Sequence, residues 1–232
     1  MKNDLQKMNI AGVVESFTET TYSIFSDEDE TIFEREDEPS LLADFIINTQ
    51  GNIERQSIIM PQSGDAITTD YIYENCLKIE EEWHYPNGRI DKTVFQYDEN
   101  DLPVIEISTR NGQEIVKTSH FYNENSQLVE TATLYTNGTH VRRFFKYDDR
   151  GNKVEEREIE KTEFTSEERT VYTYDDNNEI VENIDYDAEG NVLMTTRYKY
   201  ADYDEHGNWT TKTELMDDVP IRVVVRSFQY RG

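Results

Sequence analysis

The chain has 232 residues, of which 35% are hydrophobic, 12% aromatic and 31% charged. Soluble domains usually contain about 45–50% apolar residues, so the composition disfavours a compact two-layer core and favours a thin or loosely wound sheet. With 49 acidic and 23 basic residues the formal net charge is −26, which argues against binding to nucleic-acid phosphates or anionic membranes, because both are bound through Lys and Arg.

Residues 1–70 are predicted to form an N-terminal β segment that packs onto the rest of the chain. Residues 1–9 are polar and are expected to be a disordered lead-in. Residues 10–25 are rich in β-branched and aromatic side chains and predict one strand or two. The eight acidic residues within 27–38 predict a solvated hairpin loop. The remaining elements expected in this segment are strands at 41–47 and 53–60 and a loop at 61–70.

Residues 71–232 are dominated by a repeated phrase in which a tyrosine that ends a strand is followed by a polar turn. The spacing between successive copies is 24 to 29 residues, and it is set by Tyr73, Tyr97, Tyr122, Tyr147, Tyr174 and Tyr203. A second set of glycine-containing turns lies between them. The chain therefore reverses about every 12 residues, which leaves room for strands of ~6–9 residues.

The expected fold is all-β. We predict an antiparallel meander of tandem hairpins with roughly 14–18 strands, elongated or spirally wound as an open sheet, with residues 1–70 and 71–232 forming one continuous domain. Strand alternation predicts one apolar face and one charged face. Residues 155–169 are less regular and predict two longer strands with a loop near Thr165 and Ser166, with a short helix as the alternative.

Turn residues are the structural positions that the sequence singles out. The glycines are expected at positive φ, which tight hairpins require. The aspartates are expected to accept backbone N–H bonds within their own turns. These positions are Asp148, Gly151, Asn152, Asp187, Gly190, Asn191, Asp204, Gly207 and Asn208.

The phrase Tyr-Asp-x-x-Gly-Asn, present at 147–152, 186–191 and 203–208, resembles the tyrosine-aspartate (YD, or RHS-type) repeat. The resemblance covers about residues 45–230 and implies a long β-meander or spiralling sheet from a bacterial, often envelope-associated, protein. Three copies carry another residue in place of the glycine: Asp101, Ser126 and Asn178. The variant copies are also similar, more loosely, to the MORN-like repeats of some bacterial antitoxins.

No catalytic, cofactor or metal site is predicted. Asp185, Asp187 and Glu189 match the front half of a calcium loop, but its twelfth position is Thr196, where a bidentate Glu is required. The four histidines lack the short spacing of metal ligands: His84, His120, His140 and His206. The motifs of known nucleophilic, phosphate-binding and zinc sites do not occur. The lone Cys76 is expected to be a small buried hydrophobe.

The tyrosines that end successive strands are expected to brace hairpin ends through cross-strand contacts. An exposed strip that binds carbohydrate or peptide is the alternative. The residues concerned are Tyr85, Tyr97, Tyr122, Tyr135, Tyr147 and Tyr174.

The predicted function is that of a non-enzymatic binding or scaffold protein of the bacterial cell envelope, with a protein or a carbohydrate as its partner and no cofactor. The alternative is an acidic immunity- or antitoxin-like protein that neutralises a cationic protein. No apolar run of ~18 residues predicts a membrane span, and residues 1–8 lack a signal-peptide apolar region. The expected location is therefore the envelope or the exterior if a leader was removed, and the cytoplasm otherwise.

Overall fold

The computed structural model describes residues 2–26 and 33–232. The described residues form one short helix, α1 (Asp4–Lys7), and seventeen strands. The strands are β1 (Val14–Ser26), β2 (Phe33–Arg35), β3 (Leu41–Ile47), β4 (Ile53–Met60), β5 (Asp65–Glu74), β6 (Leu77–His84), β7 (Ile90–Tyr97), β8 (Pro103–Arg110), β9 (Gln113–Tyr122), β10 (Leu128–Tyr135), β11 (His140–Tyr147), β12 (Lys153–Lys161), β13 (Thr165–Tyr174), β14 (Ile180–Tyr186), β15 (Val192–Tyr203), β16 (Trp209–Met216) and β17 (Val219–Tyr230).

These strands belong to one sheet, and that sheet is closed. Closure results because β1 pairs antiparallel with β17 on one side and with β3 on the other. Sixteen strands form a closed antiparallel β-barrel, while β2 is a short addition paired with the end of β1. The all-β prediction is confirmed, but the open, elongated or spirally wound sheet is wrong, because the first and last strands are partners and not opposite edges.

The chain divides into two compact units. Unit 1 comprises Met1–Tyr71, Trp83–Gly88 and Thr196–Gly232, and unit 2 comprises Ile72–Glu82 and Arg89–Thr195. The N-terminal and C-terminal strands share unit 1 because β1 and β17 lie side by side.

Unit 1 contains an apolar core. Phe17 and Phe45 are paired across β1 and β3 and stack with ring centroids 4.3 Å apart, and the ring of Phe228 lies 5.6 Å from that of Phe17. Burial of these rings stabilises the fold because it removes apolar area from water, and the stacked arrangement adds a favourable aromatic interaction. The buried members of the core are Leu5, Ile10, Val14, Phe17, Ala43, Phe45 and Ile47.

The N-terminal segment differs from its prediction as a disordered lead-in. Asn3 and Gln6 form a capping box that begins α1, and Leu5 is only 5% exposed in the core. The sequence signal for this was the Asn3-x-x-Gln6 spacing, with Leu5 inside it and Ile10 after it. Docking of this segment removes its apolar side chains from water, which would remain exposed if the segment were a free tail.

Three further predictions, for the loop at 61–70, for Cys76 and for the acidic run, can be compared with the structure. The loop expected at 61–70 is short, because β5 already begins at Asp65. Cys76 is exposed in a turn at φ 66°, so its prediction as a buried hydrophobe is wrong. Of the acidic run at 27–38, residues 27–32 lie outside the described residues.

In unit 2 the buried face of the sheet is itself polar, which differs from the predicted apolar face. Thr93, Thr131 and Thr133 are buried. The hydroxyls of two of them pair across strands, since Thr93 Oγ1 lies 2.9 Å from Ser108 Oγ and Thr133 Oγ1 lies 3.0 Å from Thr118 Oγ1. Buried hydroxyls need such partners to offset their lost hydration. Cross-strand hydrogen bonds between buried side chains therefore help to stabilise unit 2, whereas apolar packing stabilises unit 1.

The opposite face of unit 2 carries ion pairs. Arg142 and Glu130 lie 2.6 Å apart, and Arg157 and Glu167 also lie 2.6 Å apart. Exposed pairs of this kind are worth about 0–1 kcal/mol each. They keep this face polar rather than supply the stability of the sheet.

Candidate functional site

Seven hairpin turns share one hydrogen-bonding pattern. In each, the side-chain oxygen of the leading Asp or Asn accepts the backbone N–H of the residue four positions on, at 2.8–3.1 Å. The leading residues are Asn48, Asp98, Asn123, Asp148, Asp175, Asp187 and Asp204. This is the Asx-type arrangement of a short polar side chain that completes its own turn.

The hydrogen bonds also hold carboxylates in their charged form. The N–H of Leu102 holds the pKa of Asp98 below its ordinary value. Burial raises the pKa of Asp148, but the bonds from Asn152 and Arg150 outweigh burial and lower it. The stability that comes from a lowered carboxyl pKa is fully present at pH values above the ordinary pKa of the group. It is lost as the pH falls through the lower pKa that the group has in the folded protein.

The fourth residue of each of these turns has a positive φ between 59° and 84°. Gly151, Gly190 and Gly207 stand at 84°, 84° and 82°. In the copies without glycine, Asp101, Ser126 and Asn178 adopt φ of 60°, 59° and 63°. Asp101, Ser126 and Asn178 have short polar side chains, and Asp and Asn in particular tolerate this region of backbone conformation.

A pair of substitutions at Gly151 tests whether backbone strain governs these turns. No atom lies within 4 Å of the Cβ that a side chain would add there, so crowding plays no part. We expect Gly151→Val to lower the free energy of unfolding by more than ~1 kcal/mol, because β-branched residues fit positive φ poorly. Gly151→Asn should cost less, as Asn178 occupies the matching position. Equal losses in urea denaturation would contradict this account.

The tyrosines that end successive strands of unit 2 are anchored to the main chain. Their hydroxyls donate to carbonyl oxygens 19 or 21 residues earlier at 2.6–2.8 Å. The donors are Tyr97, Tyr122, Tyr147 and Tyr174, and the acceptors are the carbonyls of Lys78, Pro103, Leu128 and Lys153. Each half-buried ring thus ties its strand end to the start of an earlier strand, and its hydroxyl is used within the sheet.

Alkaline titration should report these buried hydroxyls. Burial, with the carboxylate of Glu106 nearby, raises the pKa of Tyr122 to about 12. Burial also raises the pKa of Tyr97 and Tyr147. Because the folded pKa lies above the unfolded value of about 10, the stability is complete below pH ~10 and is lost as the pH rises towards 12.

We therefore expect tyrosinate absorbance at 295 nm to rise in two stages, the second together with loss of the β circular-dichroism signal. Tyr122→Phe should reduce the amplitude of the second stage. Ionisation of all 15 tyrosines in a single step near pH 10, with the sheet intact, would contradict the anchored geometry.

An acidic cleft lies on the buried face of unit 2, where β11 and β12 run side by side. It has a volume of about 370 Å³ and is lined by Tyr135, Asn137, Thr139, Val141, Arg143, Glu158 and Glu160. Strand alternation places the cleft's glutamates on one face of β12. Arg143 Nε lies 2.5 Å from Glu158 and 3.7 Å from Glu156, so the one guanidinium of the lining is engaged.

Carboxylates outnumber cations among the residues that line the cleft and their neighbours. Glu168 on β13 lies directly opposite Glu158 in the sheet register, and like charges so placed repel. With Glu156 and Glu160 there are four carboxylates near two cations, Arg143 and Lys153, since Lys153 Nζ binds Glu156 at 2.5 Å. Neither Glu160 nor Glu168 forms an ion pair with any residue that the structure describes.

Sequence reasoning did not find this cleft. Its glutamates fall in the stretch 155–169, interpreted as two strands with a loop. The strands are β12 and β13, separated by residues 162–164. The available signal was the alternation of Glu156, Glu158 and Glu160, which places three carboxylates on one face of a strand.

None of the predicted turn residues and none of the calcium-like residues lines this cleft. Asp187 accepts the Asn191 N–H at 2.8 Å, and Asp185 accepts the Thr170 hydroxyl at 2.6 Å. Within the part of the chain that the structure describes, no group of three or more His, Cys, Asp or Glu side chains is placed to hold a metal.

The histidines are likewise dispersed. His120 Nε2 lies 3.1 Å from Glu106 on the buried face, His84 Nε2 lies 3.4 Å from Asp70, and the His206 ring packs on Tyr230.

Among residues 2–26 and 33–232, no helix has the length and apolar character needed to cross a bilayer.

Comparisons with known proteins give a likeness in structure. No family model and no curated protein matches the sequence. A porin-like protein from Bacteroides uniformis matches with a TM-score of 0.57 and 12% identity, over 93% of this chain and 98% of that chain.

Two other solved structures match with lower scores. They are a TcdB2-TccC3-Cdc42 structure (TM-score 0.36, 12% identity, 75% of this chain and 12% of that chain) and a LolA superfamily protein from Nitrosomonas europaea (TM-score 0.34, 15% identity, 98% and 92%). Scores of 0.36 and 0.34 are too low to establish a shared fold. The likeness to the porin-like protein, at 12% identity, shows the fold alone.

Proposed function

We propose that this chain is a non-enzymatic binding protein of the bacterial cell envelope that binds a cationic ligand in the acidic cleft. The observation that carries the proposal is the group of Glu158, Glu160 and Glu168 on one face of β12 and β13, where two carboxylates have no ion-pair partner among the described residues. A bound ammonium or guanidinium group would relieve their mutual repulsion.

The surroundings of the carboxylates suit an organic cation. Tyr135 contributes an aromatic ring to the lining, and Asn137 and Thr139 contribute polar groups. Aromatic faces attract ammonium and guanidinium groups. The net charge of −26 adds long-range attraction for such a ligand.

The envelope location is part of the proposal. It is supported by the fold shared with a porin-like bacterial protein and by the resemblance of the turn phrase to YD repeats, which stays a prediction. A carbohydrate partner, expected as an alternative from the tyrosines, is less well supported, because four of their hydroxyls are used within the sheet.

Calorimetric titration with a hexa-lysine peptide at low salt tests the proposal. Glu160→Gln combined with Glu168→Gln should weaken binding about tenfold or more, equivalent to ~1.4 kcal/mol. The matched control is Glu124→Gln combined with Asp176→Asn, which changes the net charge equally at two exposed turn positions. The control should bind nearly as well as the parent protein.

The alternative function, an immunity- or antitoxin-like protein that neutralises a cationic protein, is favoured by the net charge of −26. It predicts a binding surface spread over the molecule. Equal weakening in both double variants would favour it over the cleft. Absence of any binding by the parent protein would contradict both proposals.

A further inference from the structure

Residues 3–13, here called the strap, are bonded at one end to the turn between β3 and β4. The N–H of Leu5 donates to the carbonyl of Gly51 at 3.0 Å. The Asp4 carboxylate accepts the N–H of Ile53 at 3.0 Å. The strap is therefore held by main-chain groups as well as by the buried side chain of Leu5.

The other end of the strap is bonded to the turn between β15 and β16. Asn208 Oδ1 accepts the N–H of Ala11 at 2.7 Å, and Asn208 Nδ2 donates to the carbonyl of Ala11 at 3.0 Å. The same Nδ2 donates to the hydroxyl of Tyr230 at 2.8 Å. Asn208 is 4% exposed, whereas Ala11 is exposed, so these bonds are shielded from water on the side of Asn208.

The two turns flank the place where the sheet closes. The strand order there is β3, β1, β17, β16, so the strap crosses three interstrand steps, about 14 Å. Beneath it, Val14 at the start of β1 pairs with Tyr230 at the end of β17, and the register shifts between Val14 and Ser16. Such an irregularity weakens the ladder locally, and no hairpin turn joins β1 to β17.

We propose that the strap is a latch on the β1–β17 seam, and that its release opens the seam from this end while the hairpins stay paired. The strap replaces the missing turn, because it ties together the two strands that flank the seam partners. Gly12, at φ 90°, fits under the ring of Tyr230, whose Cε1 atom would lie 2.7 Å from an added Cβ. Opening of the seam exposes the stacked rings of Phe17 and Phe45.

Hydrogen exchange on the full-length chain tests the latch. Leu5→Asp places a charge among the core residues that bury Leu5 and should release the strap. Val13→Asp is the control, because it makes the same charge change at a side chain that is 65% exposed and should leave the strap docked. In Leu5→Asp, the amides of residues 14–19 and 226–230 should exchange at least about tenfold faster than in Val13→Asp. The amides of β7 to β13 should keep their protection in both variants.

Two outcomes would overturn the latch. One is fast exchange confined to the strap, with β1 and β17 still protected. The other is a uniform rise in every strand, which would mean that Leu5 supports the whole sheet. If Leu5→Asp fails to fold, Asn3→Ala provides the same test, since it removes the helix cap and the 2.8 Å bond to Gln50 and leaves the core side chains in place.

Discussion

Replacing Phe17 with alanine should lower the free energy of unfolding by about 3–5 kcal/mol, the range for large-to-small changes in a packed core. Phe17 is 2% exposed and stacks on Phe45 at 4.3 Å. Its partners lie on two other strands, β3 and β17, so the cavity cannot close without moving the seam. Total stabilities of ~5–15 kcal/mol make this a large loss.

Phe25→Ala is the matched control, since Phe25 lies on the same strand and is 49% exposed. Its loss should stay within about 0.5 kcal/mol, as for most surface changes. Both values follow from urea denaturation monitored by circular dichroism. A loss below ~1 kcal/mol for Phe17→Ala would show that this cluster is not the core of unit 1.

The second large effect is expected for Asn208→Ala, at about 2–4 kcal/mol. The change removes both bonds to Ala11 and the bond that the Tyr230 hydroxyl accepts, although this hydroxyl still donates to Asp204. Each hydrogen bond of this kind contributes roughly 0.5–1.5 kcal/mol net, and three of them are lost. The loss is thus larger than that of an ordinary turn residue.

Asn152→Ala provides the comparison, because Asn152 holds the same place in its own turn. Its side chain donates hydrogen bonds to Asp148 and to Asn178 at 3.1 and 3.0 Å, and these partners lie outside the strap. We expect its loss to be about 1 kcal/mol or less, measured by thermal and urea unfolding. Similar losses for the two asparagines would mean that the strap bonds add little.

Features that depend on neighbouring residues could be predicted from the sequence. The all-β class follows from turn residues that recur between β-branched and aromatic runs. The irregular stretch 155–169 contains parts of two strands, β12 and β13, which are joined by residues 162–164, close to the loop expected near Thr165. In each case the determining interactions lie within one hairpin.

Features that depend on distant residues could not be predicted in this way. Closure rests on pairs such as Phe17 with Phe228, and strand periodicity carries no information about which strands meet. Docking of residues 3–13 depends on turns about 45 and 200 residues away. The cleft requires the register that sets Glu158 opposite Glu168, and a shift of one residue would move these side chains to the other face.

Closure of the sheet through β1 and β17 is tested most directly by a distance between these two strands. Spin labels on Thr18→Cys and Ser227→Cys, in a Cys76→Ser background, mark residues that are paired in the register. The closed sheet predicts a label separation below about 20 Å, since paired Cα atoms lie ~5 Å apart. An open sheet of the same sixteen strands would place its first and last strands about 70 Å apart, and a distance in that range would contradict closure.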